Sequence, residues 1–140
     1  MKDILKKVFF GFIILFSFCS CGYGAELLKE LPTIIRAAKR NDCVGDNFLL
    51  LCSIRLAENG GEGREFGILH PDAIDTNLDV QAGWCAATIM ANHDRFDYHK
   101  VDDHFIEMLG ERYCPPEIHP LNQHWQTNVK YFYDKFKDAE

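Results

Sequence analysis

Glu58 is the residue whose position asks for a chemical explanation. It closes the run "DNFLLLCSIRLAE", residues 46–58, an apolar helical stretch that carries one basic residue, Arg55. On a helix, the residues four and seven positions back share a face; for Glu58 these are Ile54 and Leu51. The carboxyl therefore falls on the apolar stripe, where desolvation favours its neutral form. The negative end of the helix dipole disfavours the anion as well. A carboxylic acid that keeps its proton near neutral pH can work as a general acid. "ENGG" follows, and its glycines leave room for a ligand to come close to the backbone. A glutamate at a helix end ordinarily turns to solvent. The stripe and the glycine exit single this one out.

Other reactive residues lie nearby in sequence. A base opposite an acid would be Asp72 first, then Glu62 or Glu65 in the loop, although acidic residues this close together are common in solvated loops. "HDRFDYHKVDDH" offers His93 with Asp97, His99 with Asp103, and His104, ligand types that hard and borderline cations accept. The spacing matches no metallopeptidase signature such as HExxH, and a solvated polar loop is the simpler reading. "QAGWCAA" places Gln81 and Trp84 near Cys85, faintly similar to a papain-type nucleophile segment. Spacing and residue order depart from that type. Cys85 also lies on the apolar face of a helix, which suits a structural cysteine.

These residues must be positioned by a mainly α-helical chain. Residues 26–40 form a first helix, with Leu27, Leu31, Ile34, Ile35 and Ala38 at helical spacing. Asp46 caps the second helix, and Asn59 with Gly60 ends it. Phe66, Ile68 and Leu69 between Gly and Pro predict a minor β element, an extended piece or hairpin over 62–71. Thr76 and Asp79 have capping-box spacing and open a helix to about Phe96, with Leu78, Ala82, Cys85, Ile89 and Phe96 as its stripe. A fourth helix runs from Asp102 to Tyr113. "CPPEIHP" breaks the chain, and Asn122 caps a last helix with Trp125, Val129, Phe132 and Phe136 on one side.

The first residues have the order of a signal peptide, assigned to residues 1–24. Lys2, Lys6 and Lys7 precede an apolar run from Val8 to Cys19, and Ser20, Gly22, Gly24 and Ala25 follow. The run is shorter than the roughly 20 residues that span a bilayer. Cys21, preceded by Ser20, is a candidate lipidation site, though Phe18 and Cys19 fit a lipobox poorly. Residues 25–140 are then a single exported domain of about 115 residues, enough for one core. Without Lys2, Lys6, Lys7 and Asp3 the count is 12 basic against 20 acidic residues, a net charge of 8 negative. That argues against a nucleic-acid partner, whose phosphates are bound by Lys and Arg. Export places Cys43, Cys52, Cys85 and Cys114 in an oxidising compartment and predicts at least one disulfide among them, with the pairing open.

The order of these segments resembles the lysozyme-like superfamily, specifically goose-type lysozymes and lytic transglycosylases. There a helix ends on a catalytic glutamate, a glycine-containing loop follows, and then a segment of the form F/A-G-L-M-Q. "LAENGG" is similar to the helix end and "EFGILHPD" to the segment after it, with Gly67, Ile68 and Leu69 on the family's glycine and two apolar residues. "NLDVQAGWCAATI" resembles the next family helix, and "RYCP" with the late "HWQTNV" resembles its closing tyrosine segment and tryptophan-bearing helix. The likeness covers most of residues 45–136.

It implies a small lysozyme-like domain, periplasmic or secreted, that cleaves glycan strands of peptidoglycan without cofactor or metal. Glu58 would be its acid/base, Asp72 a holder of the attacking water, and Glu65, Gly67, His70 and Tyr113 substrate contacts. The chain departs from the family in three places: His70 stands for Gln, the loop before Gly67 is shorter, and Cys114 replaces the Asn after the tyrosine. The resemblance leaves muramidase and transglycosylase both open. The alternative is a non-catalytic exported binding or structural lipoprotein with a lysozyme-like shell, touching the membrane only through a lipid anchor.

Overall fold

A computed structural model describes residues 23–139. Five α-helices succeed one another: α1 (Tyr23–Arg40), α2 (Asp46–Glu58), α3 (Leu78–Phe96), α4 (Asp103–Tyr113) and α5 (Trp125–Asp138). A short 3-10 turn, Pro120–His124, leads into α5. The chain is mainly helical, as its periodicity predicts.

The second helix is central. Every residue of α2 from Phe48 to Arg55 is buried, and a helix apolar nearly all round is stable only when neighbours cover it. α5 packs along it most extensively, while α1 lies mainly on α3. The stripes behave as the spacing predicts: Leu27, Leu31, Ile34 and Ala38 of α1 and Ala82, Cys85 and Ile89 of α3 are buried. On α5 the buried face is Trp125, Val129, Tyr133 and Phe136, with Tyr133 in place of Phe132. Arg55 is buried in this setting because Glu30 meets it with two bonds, Nε to Oε2 and Nη2 to Oε1, each 2.7 Å. A bidentate guanidinium–carboxylate pair is the form in which such charges tolerate burial. It ties α1 to α2.

The caps differ from the expected ones. Gly45, at φ 61°, precedes α2, and Asp46 is already its first residue. Asp46 receives Lys137 Nζ at 3.0 Å instead. Asn77, rather than Thr76, caps α3 by accepting from Val80 N at 3.1 Å. Asp79 has left the box to pair with Arg40 at 2.8 Å. Asp102 caps α4 through Phe105 N. Asn122 belongs to the 3-10 turn and donates to Pro115 O at 2.8 Å, so α5 begins only at Trp125.

The expected β element does not form: residues 59–77 are turns and irregular chain, and no strand is present among the described residues. Left-handed backbone at Gly63, Gly67 and Asp75 breaks any extended run. The N–H groups of Phe66 and Ile68, which a partner strand would accept, bond to the Gln81 side chain.

The expected disulfide is also corrected. Cys43, Cys52, Cys85 and Cys114 are free. Cys43, Cys52 and Cys85 are fully buried, serving as small apolar residues between helices. Burial pushes the Cys43 thiol up to about 12 and raises those of Cys52 and Cys85 too. The signal-peptide reading and Cys21 lie outside the described residues, apart from Tyr23 and Gly24, which begin α1. Among the described residues no helix is long and apolar enough to cross a membrane.

Candidate active site at the end of α2

α2 delivers Glu58 on its last turn, and Asn59 at once turns the chain away in left-handed conformation, its N–H still bonded to Arg55 O at 3.1 Å. The glutamate is half-buried. Its Oε1 accepts the indole N–H of Trp125 at 2.8 Å, joining the end of α2 to the start of α5. The indole is fixed from two sides. Tyr113 stacks on it with ring centroids 5.2 Å apart. Gly110 of α4 lies beneath it, where a Cβ would come within 3.0 Å of Trp125 Cε3.

The third wall is main chain. Gly67 has φ 68°, and a Cβ there would stand 2.6 Å from Glu58 Cδ. Only glycine allows both that backbone and that approach. Tyr113 holds this wall in place by donating its hydroxyl to Phe66 O. The carboxyl is thus enclosed by the Gly67 backbone and the Trp125 indole, with Tyr113 bracing both.

The electrostatics follow from this enclosure. Burial raises the Glu58 carboxyl above the ordinary carboxylate range, and the Trp125 hydrogen bond offsets only part of that. Burial, then the neighbouring Cys85, holds the Tyr113 phenol well above its usual value, so it remains a donor. Burial raises Cys85 as well. A protonated, buried thiol is a poor nucleophile. The cation nearest in sequence, Arg55, is committed to Glu30. What the arrangement offers is a carboxyl of raised proton affinity held in a fixed orientation.

No family model, no curated protein and no solved structure matches the chain. Its chemistry has to be argued from the site.

Of the residues singled out from sequence, Gly67 and Tyr113 meet at Glu58. Glu65 is buried at 6 % exposure; its carbonyl accepts from Arg55 Nη1 at 3.4 Å, and its carboxyl Oε2 has no hydrogen-bond partner among the described residues. His70 and Asp72 form a surface pair, with Asp72 N bonded to His70 Nδ1 at 3.1 Å and the imidazole stacked on Trp84 at 4.4 Å. The Asp72 side chain is 78 % exposed. A cleft of about 440 Å³ opens by the glycine exit, lined by Glu26, Glu30, Arg55, Asn59 and Gly60 among others, with Glu58 outside its lining.

The histidine–aspartate cluster is not drawn together. His93 is buried, with Nδ1 against Tyr98 O and Nε2 against Asn47 Oδ1. Among the described residues no three His, Cys, Asp or Glu converge as metal ligands. Three contributors to the site are not assigned to it by the sequence. Trp125 reads as a stripe residue of a tryptophan-bearing last helix, Gln81 only as part of the segment around Cys85, and Gly110 as an ordinary helix residue. Nothing local marks them, because each acts across the helix packing.

Proposed function

We propose that the chain is an exported glycosidase of lysozyme-like kind, acting on peptidoglycan strands with Glu58 as general acid and base. The observation that carries this reading is the enclosure of one raised carboxyl by the Gly67 backbone and the Trp125 N–H. Glycoside cleavage requires an acid that protonates the leaving oxygen as the ring becomes oxocarbenium-like. Glu58 gives its proton to that oxygen, the bond from the anomeric carbon to it breaks, and the carboxylate stays behind beside the indole. It then takes a proton from whichever hydroxyl attacks that carbon.

The identity of the attacking group decides the product. Asp72, exposed and paired with His70, is poorly placed to be held dry as a partner base. That favours attack by a hydroxyl of the substrate itself, which needs only the one carboxyl and consumes no water. His70, Glu65 and Tyr113 remain the proposed substrate-side residues, Tyr113 chiefly by bracing the site. The test is mass analysis of peptidoglycan fragments after incubation with the protein. Fragments one water lighter than hydrolysis products are expected; ordinary reducing ends would mean a hydrolase. Intact strands with folded protein would move the reading to a binding or structural shell.

A further inference from the structure

Gln81 is fully buried on the first turns of α3. Its Oε1 accepts from Phe66 N at 3.3 Å and Ile68 N at 3.2 Å, and its Nε2 donates to Ile68 O and Ala73 O, each at 3.0 Å. A primary amide has two donors and two acceptor sites. All four are spent on one loop. The two N–H groups it receives flank Gly67, the residue whose Cα lies on the Glu58 carboxyl.

We propose that Gln81 is the positioning residue of this site: its amide takes the place of a partner strand for residues 66–73 and presses Gly67 onto Glu58. This rests on the reading of Glu58 as the reacting acid. Turn bonds within the loop, such as Gly67 N to Arg64 O and Asp75 N to Gly63 O at 3.0 Å each, hold it locally, and Gln81 is what meets the Phe66 and Ile68 amides. The loop backbone is left-handed at Gly67, and a chain without a ladder partner would leave these amides unpaired, which buried backbone rarely tolerates. Tyr113 fixes the carbonyl side at Phe66 O, and Gln81 fixes the N–H side. Because α3 is a long helix packed on α1, the clamp refers the loop to the rigid body of the fold.

The consequence reaches the carboxyl. The titratable groups that sense Glu58 are Cys85 from α3 and Tyr113 with Cys114 from the end of α4, and the indole of Trp125 faces it from α5. None of these is a cation, so the Gly67 wall and the burial it completes hold the carboxyl above the ordinary range. Releasing the loop admits water to the carboxyl and lets its titration fall toward the ordinary carboxylate range.

The test needs no substrate. In the full chain, Gln81→Met preserves length and removes every donor and acceptor, and Gln81→Asn keeps the amide but falls short by one methylene. Amide hydrogen exchange at Phe66 and Ile68 and carbon-13 titration of the Glu58 carboxyl are read in each. The expected result is exchange faster by on the order of tenfold or more at both amides, the equivalent of one lost hydrogen bond, with a Glu58 midpoint lower than in the wild type. Leu31→Ala, a core truncation on α1, serves as the control, lowering stability while leaving that midpoint in place. A folded Gln81 variant whose exchange or Glu58 midpoint matches the wild type overturns the proposal. So does an equal midpoint change in Leu31→Ala. Glycan cleavage is scored separately: a shifted midpoint in a protein that cleaves nothing upholds the positioning role and removes the glycosidase reading. Cleavage with an unmoved midpoint removes only the role of Gln81.

Discussion

Gly67 lies with its Cα against the Glu58 carboxyl, so close that a methyl group added there would stand 2.6 Å from Cδ. The contact joins a loop residue in left-handed conformation to the last residue of the central helix. Gly67→Ala therefore meets two penalties, the backbone and the clash. Its cost should be about 2 kcal/mol or more. Part of this belongs to the carboxyl alone. In a double-variant cycle with Glu58→Ala, the penalty at position 67 should shrink by roughly 1 kcal/mol, the range of coupling between contacting residues. Additive penalties in denaturant unfolding would show that the two residues do not meet.

The raised Glu58 carboxyl predicts the pH dependence of stability. A folded-state value above the unfolded one means the folded chain binds the extra proton. That contribution is complete below the unfolded value and is lost as pH rises through the folded one. Glu58→Gln removes the titration while its amide oxygen still accepts from Trp125. The variant should melt above the wild type at neutral pH, and the gap should close as pH falls below the ordinary glutamate range. Thermal melts across pH check this; a gap that widens on acidification contradicts it.

The thiols give an independent check on the packing. Cys43, Cys52 and Cys85 are fully enclosed and protonated, and the thiolate is the reactive form. Alkylation without reductant should leave these three unmodified in the native protein and label all four of Cys43, Cys52, Cys85 and Cys114 in denaturant. Peptide mass spectrometry reads the result. A pair that takes label only after reduction would restore the disulfide that export suggests.

How far the sequence reveals this site depends on distance along the chain. The helices around α2 are legible because each buries one stripe, and Leu27 to Ala38 or Ala82 to Ile89 repeat at the spacing that burial imposes, while α2 is legible from its continuous apolar run. Glu58 is legible because its place at the end of that apolar run is a property of one helix. The β element misleads because Phe66, Ile68 and Leu69 have strand-like types, whereas the partner that accepts the Phe66 and Ile68 N–H groups is a glutamine 13 to 15 residues away. The disulfide is expected from compartment chemistry, and helix packing instead encloses Cys43, Cys52 and Cys85 as apolar fillers and leaves Cys114 half-buried. Trp125 reaches Glu58 across 67 residues, a relationship that no local pattern encodes.

The central claim is that the Glu58 proton is the one transferred. Glu58→Gln keeps the shape and the Trp125 bond but has no proton to give. The direct measurement is the rate of peptidoglycan cleavage by this variant beside the wild type, with both shown folded by circular dichroism. General acid catalysis contributes on the order of a hundredfold to ten-thousandfold, and the account predicts a fall at least that large. Equal cleavage by the two proteins would contradict it.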